Sequence, residues 1–299
     1  MVSIVMPVFN AEKYLSISID SVLKQSFDQF ELIIVDDGST DSSRFIIRYF
    51  ESIDNRIRVF FRENSGIVDT LNFGISEAKF DIICRMDSDD ICDTRRIEVQ
   101  LNSIEKYDIV GSNVYIIDSY NEKKGELVMP ESKKLIVANL FKLKASFVHP
   151  SIMFKKSKLK LTQSGDVYSK MYTHCEDLEL WLRNIDYCSM HNIQNYLLCL
   201  RKHDSNISLL KFEEQLINSW VTILAYKKNI HLDFEMYASI VSNINKKIAS
   251  FTGFKFLFNV NANNSKYSQY IYARLIQFIS FNEFNKIVCF FIVTLILEI

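Results

Sequence analysis

Glycine is scarce in this chain, with seven among 299 residues, and neither G-x-G-x-x-G nor G-x-x-x-x-G-K-[ST] occurs anywhere. A glycine-built backbone cradle for phosphate of either kind is therefore excluded. The six cysteines, Cys84, Cys92, Cys175, Cys188, Cys199 and Cys289, form no C-x-x-C pair and no regular framework. Neither a zinc site nor a disulfide scaffold is indicated, and a reducing cytoplasm fits. Charge of one sign is lacking too: Lys+Arg 35 stands against Asp+Glu 36, without the basic excess that a nucleic-acid surface needs. Met1 leads at once into Val2 to Met6, closed by Pro7. That is too short for the apolar region of a signal peptide. The longest late apolar run, Ile287 to Leu297, is eleven residues with Thr294 inside it, below the ~20 needed to cross a bilayer.

What is present is ample apolar matter, 48% of residues. A chain of this length is expected to form one large domain, or one domain with an appendage. Val2 to Met6 reads as a buried strand and Pro7 to Asn10 as the loop that ends it. Tyr14, Leu15, Ile19, Val22 and Leu23 recur at helical spacing and predict a helix from about Ala11 to Gln25. A second strand, Glu31 to Val35, runs into Asp36-Asp37-Gly38-Ser39-Thr40-Asp41, where Ser39 or Thr40 is placed to cap the following helix. Ile57 to Phe61 is a third strand, Gly66 to Ala78 a helix, and Asp81 to Arg85 a fourth strand. The β-α-β-α-β-α-β order implies an α/β domain with a Rossmann-like, mainly parallel sheet flanked by helices.

The chain is organised around Asp81 to Asp90, D-I-I-C-R-M-D-S-D-D. Open α/β sheets place ligands at the carboxyl ends of their strands, which is where Asp87, Asp89 and Asp90 fall. Strand alternation sets Asp87 and Asp89 on one side. Two carboxylates held together repel unless a cation or shared proton lies between them, and Mg²⁺ or Mn²⁺ suits a site that also takes phosphate oxygens. The plain alternative is a polar turn.

Further on, Thr94 to Lys106 reads as a helix, Val114 to Ile117 and Glu126 to Met129 as strands, and Ser132 to Leu143 as a helix. Phe147 to Phe154 reads as a strand interrupted at Pro150, hence an edge or bulge. Glu176 and Asp177 fall in the first turn of a helix whose apolar face is Leu178, Trp181 and Leu182; the macrodipole alone explains two acids there. Tyr196 to Arg201 is a strand ending in Arg201-Lys202-His203, and His203 is either solvated or an edge of the proposed metal site. Beyond it, Leu210 to Lys228 and Leu232 to Ala249 read as helices, Asn259 to Ser265 as a polar break, and Tyr267 to Phe281 and Phe284 to Ile299 as apolar segments. The last could be core, a dimer contact or an interfacial anchor; shallow membrane association is favoured because Phe, Tyr, Lys and Arg are spread through Lys255 to Lys286.

Taken in order, Val2 to Asn10, Ser21-Val22-Leu23-Lys24-Gln25-Ser26, Ile33 to Asp41, Asn64 to Gly74, Arg85 to Asp90, His149-Pro150-Ser151, Glu176-Asp177 and Arg201 to Ser208 resemble the family-two inverting glycosyltransferases with the GT-A fold. The likeness is strongest to bacterial enzymes that build O-antigen or capsule repeats. It covers Val2 to about Ser208, so that 1–208 would be the GT-A domain and 209–299 a helical C-terminal region. Asp69 departs from the pattern, standing where a small residue is expected.

The resemblance implies a UDP-sugar donor bound through Pro7, Asp36, Asp37, Asp87 and Arg201, with Asp37 accepting from the uracil imide. It implies Mn²⁺ or Mg²⁺ held by Asp89, with Asp87 and His203. Asp177 would be the general base, with Glu176 and His149 on the acceptor side. The implied reaction moves a hexose, UDP-galactose or UDP-glucose being favoured, to an N-acetylhexosamine on undecaprenyl diphosphate, forming a β-linkage, β-1,3 favoured. The implied setting is the inner face of the bacterial cytoplasmic membrane. Two other readings stand beside it: a nucleotidyltransferase, which would want a Gly-rich loop after the first strand, and a non-catalytic sugar-nucleotide-binding subunit.

Overall fold

The computed structural model describes residues 1–172, 174–203, 211–230 and 232–250. The expected segments Asn259 to Ser265, Tyr267 to Phe281 and Phe284 to Ile299 lie outside these, as does most of the loop after His203.

The first half alternates as its apolar runs require: β1 (Val2–Val8), α1 (Leu15–Leu23), β2 (Phe30–Asp36), α2 (Ser43–Ile53), β3 (Ile57–Phe61), α3 (Ile67–Ser76) and β4 (Ile82–Arg85). Every residue of β1 and β2 is buried, the state of interior strands covered on both faces. β5 (Ile91–Cys92), α4 (Arg96–Ile104), β6 (Ile109–Ile117), β7 (Lys123–Leu127), α5 (Lys133–Leu140), β8 (Met153–Lys155), α6 (Glu176–Asn184) and β9 (Met190–Arg201) follow. The strands join in one mixed sheet of order β3-β2-β1-β4-β8-β6-β9-β5, with β7 on β6. Its longest ladders, β1 with β2 and β6 with β9, are parallel, whereas β8 runs antiparallel to both β4 and β6. The main core gathers Val2, Ile4, Met6 and Leu32 of the sheet with Leu15, Ile19 and Val22 of α1.

Residues Met1–Phe212 form one compact unit and Glu213–Ile299 a second. The described part of the second carries α7 (Phe212–Lys228) and α8 (Phe234–Ser250). In α7, Ile217, Trp220, Val221 and Leu224 are buried, and in α8, Tyr237 and Ile240. Among the described residues no helix is long and apolar enough to cross a membrane.

Several sequence expectations are corrected. Pro7 belongs to β1, paired with Val35, rather than to a loop. Val5 accepts from Met86 N–H on the β4 side and Val8 accepts from Asp37 N–H on the β2 side. Alternation therefore turns Pro7 toward β4, where the ladder has already ended at Val5–Arg85, so its missing N–H leaves no bond unmade. Pro150 does not mark an edge. It sits in a single 3₁₀ turn, His149–Ser151, and β8 beyond it is interior. The start of α2 is served by Asp41, whose Oδ1 accepts from Ser43 N–H at 2.9 Å; Ser39 instead accepts from Asn10 N–H at 2.9 Å. On α6 the buried residues are Leu180, Trp181, Leu182 and Asn184, with Leu178 only half-buried.

Candidate active site

β4 ends at Arg85, so strand alternation does not carry Asp87 and Asp89. A turn does. It brings Asp87, Asp89 and Asp90 together, one ligand oxygen from each lying within 4.8 Å of the others. Asp90 is fully buried; Oδ1 accepts from Arg201 N–H at 2.8 Å, and Oδ2 is buried with no partner. Burial, then Asp89 and Asp87, hold its carboxyl well above the usual range. Asp87 is also raised, by burial against the pull of Arg85 and with the push of Asp89. Oxygen-only donors in a tight cluster, one of them buried and unpaired, fit a hard divalent cation such as Mn²⁺ or Mg²⁺.

The end of β9 supports this turn. Arg201 is 1% exposed. Its Nε donates to the Asp89 carbonyl at 2.6 Å and its Nη1 to the Asp118 carbonyl at 2.8 Å, while the guanidinium stacks 4.3 Å from the centre of the Tyr14 ring. Nη2 alone is buried without a partner. Two of the three nitrogens that the resemblance assigned to a diphosphate are thus engaged within the protein, Nε on the acidic turn and Nη1 on Asp118. His203 Nε2 lies 2.9 Å from Asp89 Oδ2, with its ring against Tyr14.

At the end of β2, one strand beyond β1, Asp36 and Asp37 are both buried. Asp36 Oδ2 accepts from Arg44 Nε at 2.7 Å and Ser39 N–H at 3.3 Å, and Oδ1 has no partner. Asp37 Oδ1 accepts from Ser65 N–H at 2.8 Å and Oδ2 from Gly66 N–H at 2.9 Å. Oδ1 also accepts from the Ser65 hydroxyl at 3.2 Å, so the lone pair left for a ligand donor is on Oδ2, but the first task of Asp37 is to fix the entry to α3. Gly38 between these loops has φ +82°, and a Cβ there would meet Asn64 N at 2.8 Å. Only glycine fits that backbone without strain.

The acceptor-side residues form a third group. Glu176 and Asp177 open α6; Asp177 Oδ1 accepts from Leu178 N–H at 2.7 Å, and Glu176 Oε2 is buried without a partner. Burial and Asp177 push the Glu176 carboxyl up to about 7. Burial raises Asp177 as well, against the Leu178 N–H and Arg85. His149 Nε2 is 2.8 Å from the Tyr168 hydroxyl; burial, then the charge of Arg85, keep its imidazole well below its ordinary value. A neutral His149 has one donor and one acceptor nitrogen, and Nε2, whichever of the two it is, is taken up by the Tyr168 hydroxyl. Tyr168 is tied to α3 by Asn72 Nδ2 donating to its carbonyl at 2.8 Å and its N–H donating to Asn72 Oδ1 at 2.9 Å. Asp69, the departure noted in the sequence, is ion-paired with Lys170 in the same loop.

Arg85 was not assigned a role from sequence, although it adjoins the acidic turn. Its Nη2 lies 2.6 Å from Asp87 Oδ1, and its charge bears on Glu176, Asp177 and His149. An arginine at a strand end reads as solvated; its burial, at 6% exposure, becomes visible only when β8 and α6 are in place. Ser65, Gly66 and Tyr14 were likewise missed, since each acts through a loop contact that no spacing records.

Residues 3–162 match the family model described as Glycosyl transferase family 2. The O-antigen biosynthesis glycosyltransferase WbnJ of Escherichia coli is 33% identical over 218 residues, 69% of this chain and 81% of that protein. The putative glycosyltransferase EpsE of Bacillus subtilis is 30% identical over 232 residues, 76% and 81% of the two chains. Among solved structures, S. aureus TarS 1-349 in complex with UDP-GlcNAc superposes with TM-score 0.59 at 19% identity, covering 87% of this chain and 76% of that one. The mannosyltransferase PcManGT from Pyrobaculum calidifontis, in complex with GDP-Man and Mn²⁺, does so with TM-score 0.56 at 13% identity, covering 99% and 86%. These likenesses establish the GT-A fold.

Proposed function

The chain belongs to glycosyl transferase family 2 and is a glycosyltransferase, and from that premise we propose that it moves a hexose from a UDP-sugar to a lipid-diphosphate-linked N-acetylhexosamine with inversion. The observation that carries this reading is that the turn after β4 gathers Asp87, Asp89 and Asp90, one oxygen of each within 4.8 Å of the others, while a second acidic pair, Glu176–Asp177, opens α6. One group suits the diphosphate end of a donor, the other the hydroxyl end of an acceptor.

Asp89, with Asp87 and His203, would hold Mn²⁺ or Mg²⁺, which when bound supplies Lewis-acid stabilisation of charge on the departing UDP. Asp37 and Asp36, with Pro7 on the adjoining strand, would form the nucleoside end, where a spare lone pair of Asp37 takes the uracil imide N–H. Arg201 would keep the acidic turn in register and offer Nη2 toward the diphosphate. Asp177 would accept the proton of the acceptor hydroxyl as its oxygen attacks the anomeric carbon; a carboxylate made more basic by burial suits that task. Glu176 and His149 would orient the acceptor. One base and one in-line displacement convert an α-linked UDP-sugar to a β-linked product, and UDP-galactose or UDP-glucose with a β-1,3 bond is favoured.

The relative named for O-antigen biosynthesis supports a role in polysaccharide repeat-unit synthesis, which would take place on the cytoplasmic membrane face. In that role residues 1–208 would carry the chemistry and 209–299 would favour the membrane surface or a second copy. Release of UDP from a panel of UDP-sugars, with Mn²⁺ and a synthetic lipid-diphosphate GlcNAc or GalNAc acceptor, tests the reading. Release from UDP-galactose or UDP-glucose that depends on both acceptor and Mn²⁺ supports it; no acceptor-dependent release from any of them overturns it.

A further inference from the structure

The buried stripe of an amphipathic helix is ordinarily apolar, yet two of the four buried residues of α4 are Arg96 and Gln100, both 0% exposed and one turn apart. Among the described residues Arg96 has hydrogen bonds but no ion pair. A guanidinium taken wholly out of water without a carboxylate is costly. Where its donors go is therefore informative.

They reach both ends of the acidic turn. Nη2 donates to the Arg85 carbonyl at 2.8 Å, at the close of β4, and Nη1 donates to Cys92 Sγ at 3.3 Å, in β5. The stretch between these two contacts carries Asp87, Asp89 and Asp90. Arg85 N–H is bonded in turn to the Ile152 carbonyl at 3.0 Å. The backbone of Arg85, whose side chain holds Asp87, is thus fixed on both sides. Arg96 Nε donates to Gln100 Oε1 at 3.0 Å, and Gln100 Nε2 donates to the Ser151 carbonyl at 2.7 Å. Ser151 closes the 3₁₀ turn that carries His149. One pair of side chains on α4 therefore joins the base of the acidic turn to the base of the His149 turn by direct hydrogen bonds.

We propose that Arg96 and Gln100 are positioning residues for glycosyl transfer: Arg96 clamps the acidic turn at its two ends in the shape a divalent cation needs, and Gln100 holds the His149 turn in register with it. This rests on the glycosyl-transfer reading and adds to it the part that keeps the donor and acceptor ends on one frame. Neither side chain touches substrate, and no covalent bond changes. Three gathered carboxylates repel one another. A turn fixed before the cation arrives leaves less ordering to be done when it binds.

The test is a Mn²⁺ titration followed by UDP binding, with the acceptor KM taken from UDP release, on the wild type, Arg96→Lys, Gln100→Met and Arg58→Lys. Lysine keeps the charge at position 96 but cannot serve the Arg85 carbonyl, Cys92 and Gln100 in the forked manner of a guanidinium. Methionine keeps the length of Gln100 and drops both of its hydrogen bonds. Arg58, which donates to Glu31 at 2.8 Å and to the Glu77 carbonyl at 2.7 Å near the amino ends of β2 and β3, is the control for general loosening. Arg96→Lys is expected to weaken apparent Mn²⁺ affinity at least about tenfold, the lower end for a group that supports metal ligands. Gln100→Met is expected to weaken it about threefold and to raise the acceptor KM about fivefold, the scale of one lost hydrogen bond. Arg58→Lys alters neither quantity. Unchanged Mn²⁺ affinity in Arg96→Lys, an unchanged acceptor KM in Gln100→Met, or equal losses in Arg58→Lys overturn the proposal while leaving the functional reading intact. Should Arg96→Lys fail to fold, Gln100→Met decides by the same comparison. A wild type that binds UDP with Mn²⁺ but uses no acceptor sinks the functional reading, and the Mn²⁺ comparison still decides whether Arg96 clamps the turn. A wild type that binds no UDP with Mn²⁺ removes both.

Discussion

His203 Nε2 sits 2.9 Å from Asp89 Oδ2, which ties the end of β9 to the turn after β4 across 114 residues of sequence. Asp89→Ala should abolish the Mn²⁺ dependence of UDP binding, and His203→Ala should weaken apparent Mn²⁺ affinity about 10- to 100-fold, the usual scale for a group that supports a metal ligand. A Mn²⁺ titration followed by UDP binding reads both. Turnover that persists in EDTA would remove the metal from the account.

Asp177→Asn should retain UDP–Mn²⁺ binding and lose at least ~10²-fold in turnover, the loss expected for a general base. The amide keeps the shape and can still accept from Leu178 N–H. A normal rate would assign the base to another group.

Glu176 makes the stability of the unliganded protein depend on pH. Its folded carboxyl is raised from 4.5 to about 7, so the folded state holds the proton more tightly than the unfolded chain. Its contribution is whole below pH 4.5 and is lost as pH climbs toward 7. Glu176→Gln should therefore gain stability relative to wild type across that interval and no further above it. Denaturant unfolding of the two proteins from pH 4.5 to 8 measures the difference; a constant difference would contradict the burial of this acid.

Gly38→Ala should destabilise the fold by more than about 1 kcal/mol, because the backbone is left-handed there and the new Cβ would meet Asn64 N. Asn64 adjoins Ser65, which donates to Asp37. Chemical unfolding gives the stability loss, and weaker UDP binding should accompany it.

Deleting the chain from Phe284 onward should move the protein from the membrane to the supernatant fraction while the remainder keeps UDP binding. Unchanged fractionation would count against a membrane role for this segment.

Much of the first half was legible in the sequence because a strand buried on both faces is mostly apolar, Ser3, Glu31 and Asp36 being the buried polar exceptions. Val2–Val8 and Phe30–Asp36 are such strands. The second half was harder. β8 is three residues long and follows a proline, so it read as an edge, yet β4 and β6 flank it on both sides. Its place depends on partners remote in sequence, which local propensity does not encode. The same holds for β5, two residues paired with Leu198 and Cys199.

The acidic residues could be named in advance because carboxylates at strand and helix ends are costly to gather and so stand out from their surroundings. Their partners could not. Whether Arg201 faces a ligand or braces a turn, whether Arg85 is solvated or buried, and which oxygens stay unpaired are settled by which chains pack over them. A sequence lists the charges and the order in which they occur; the environment that sets the cost of each charge is made only when distant segments close around it.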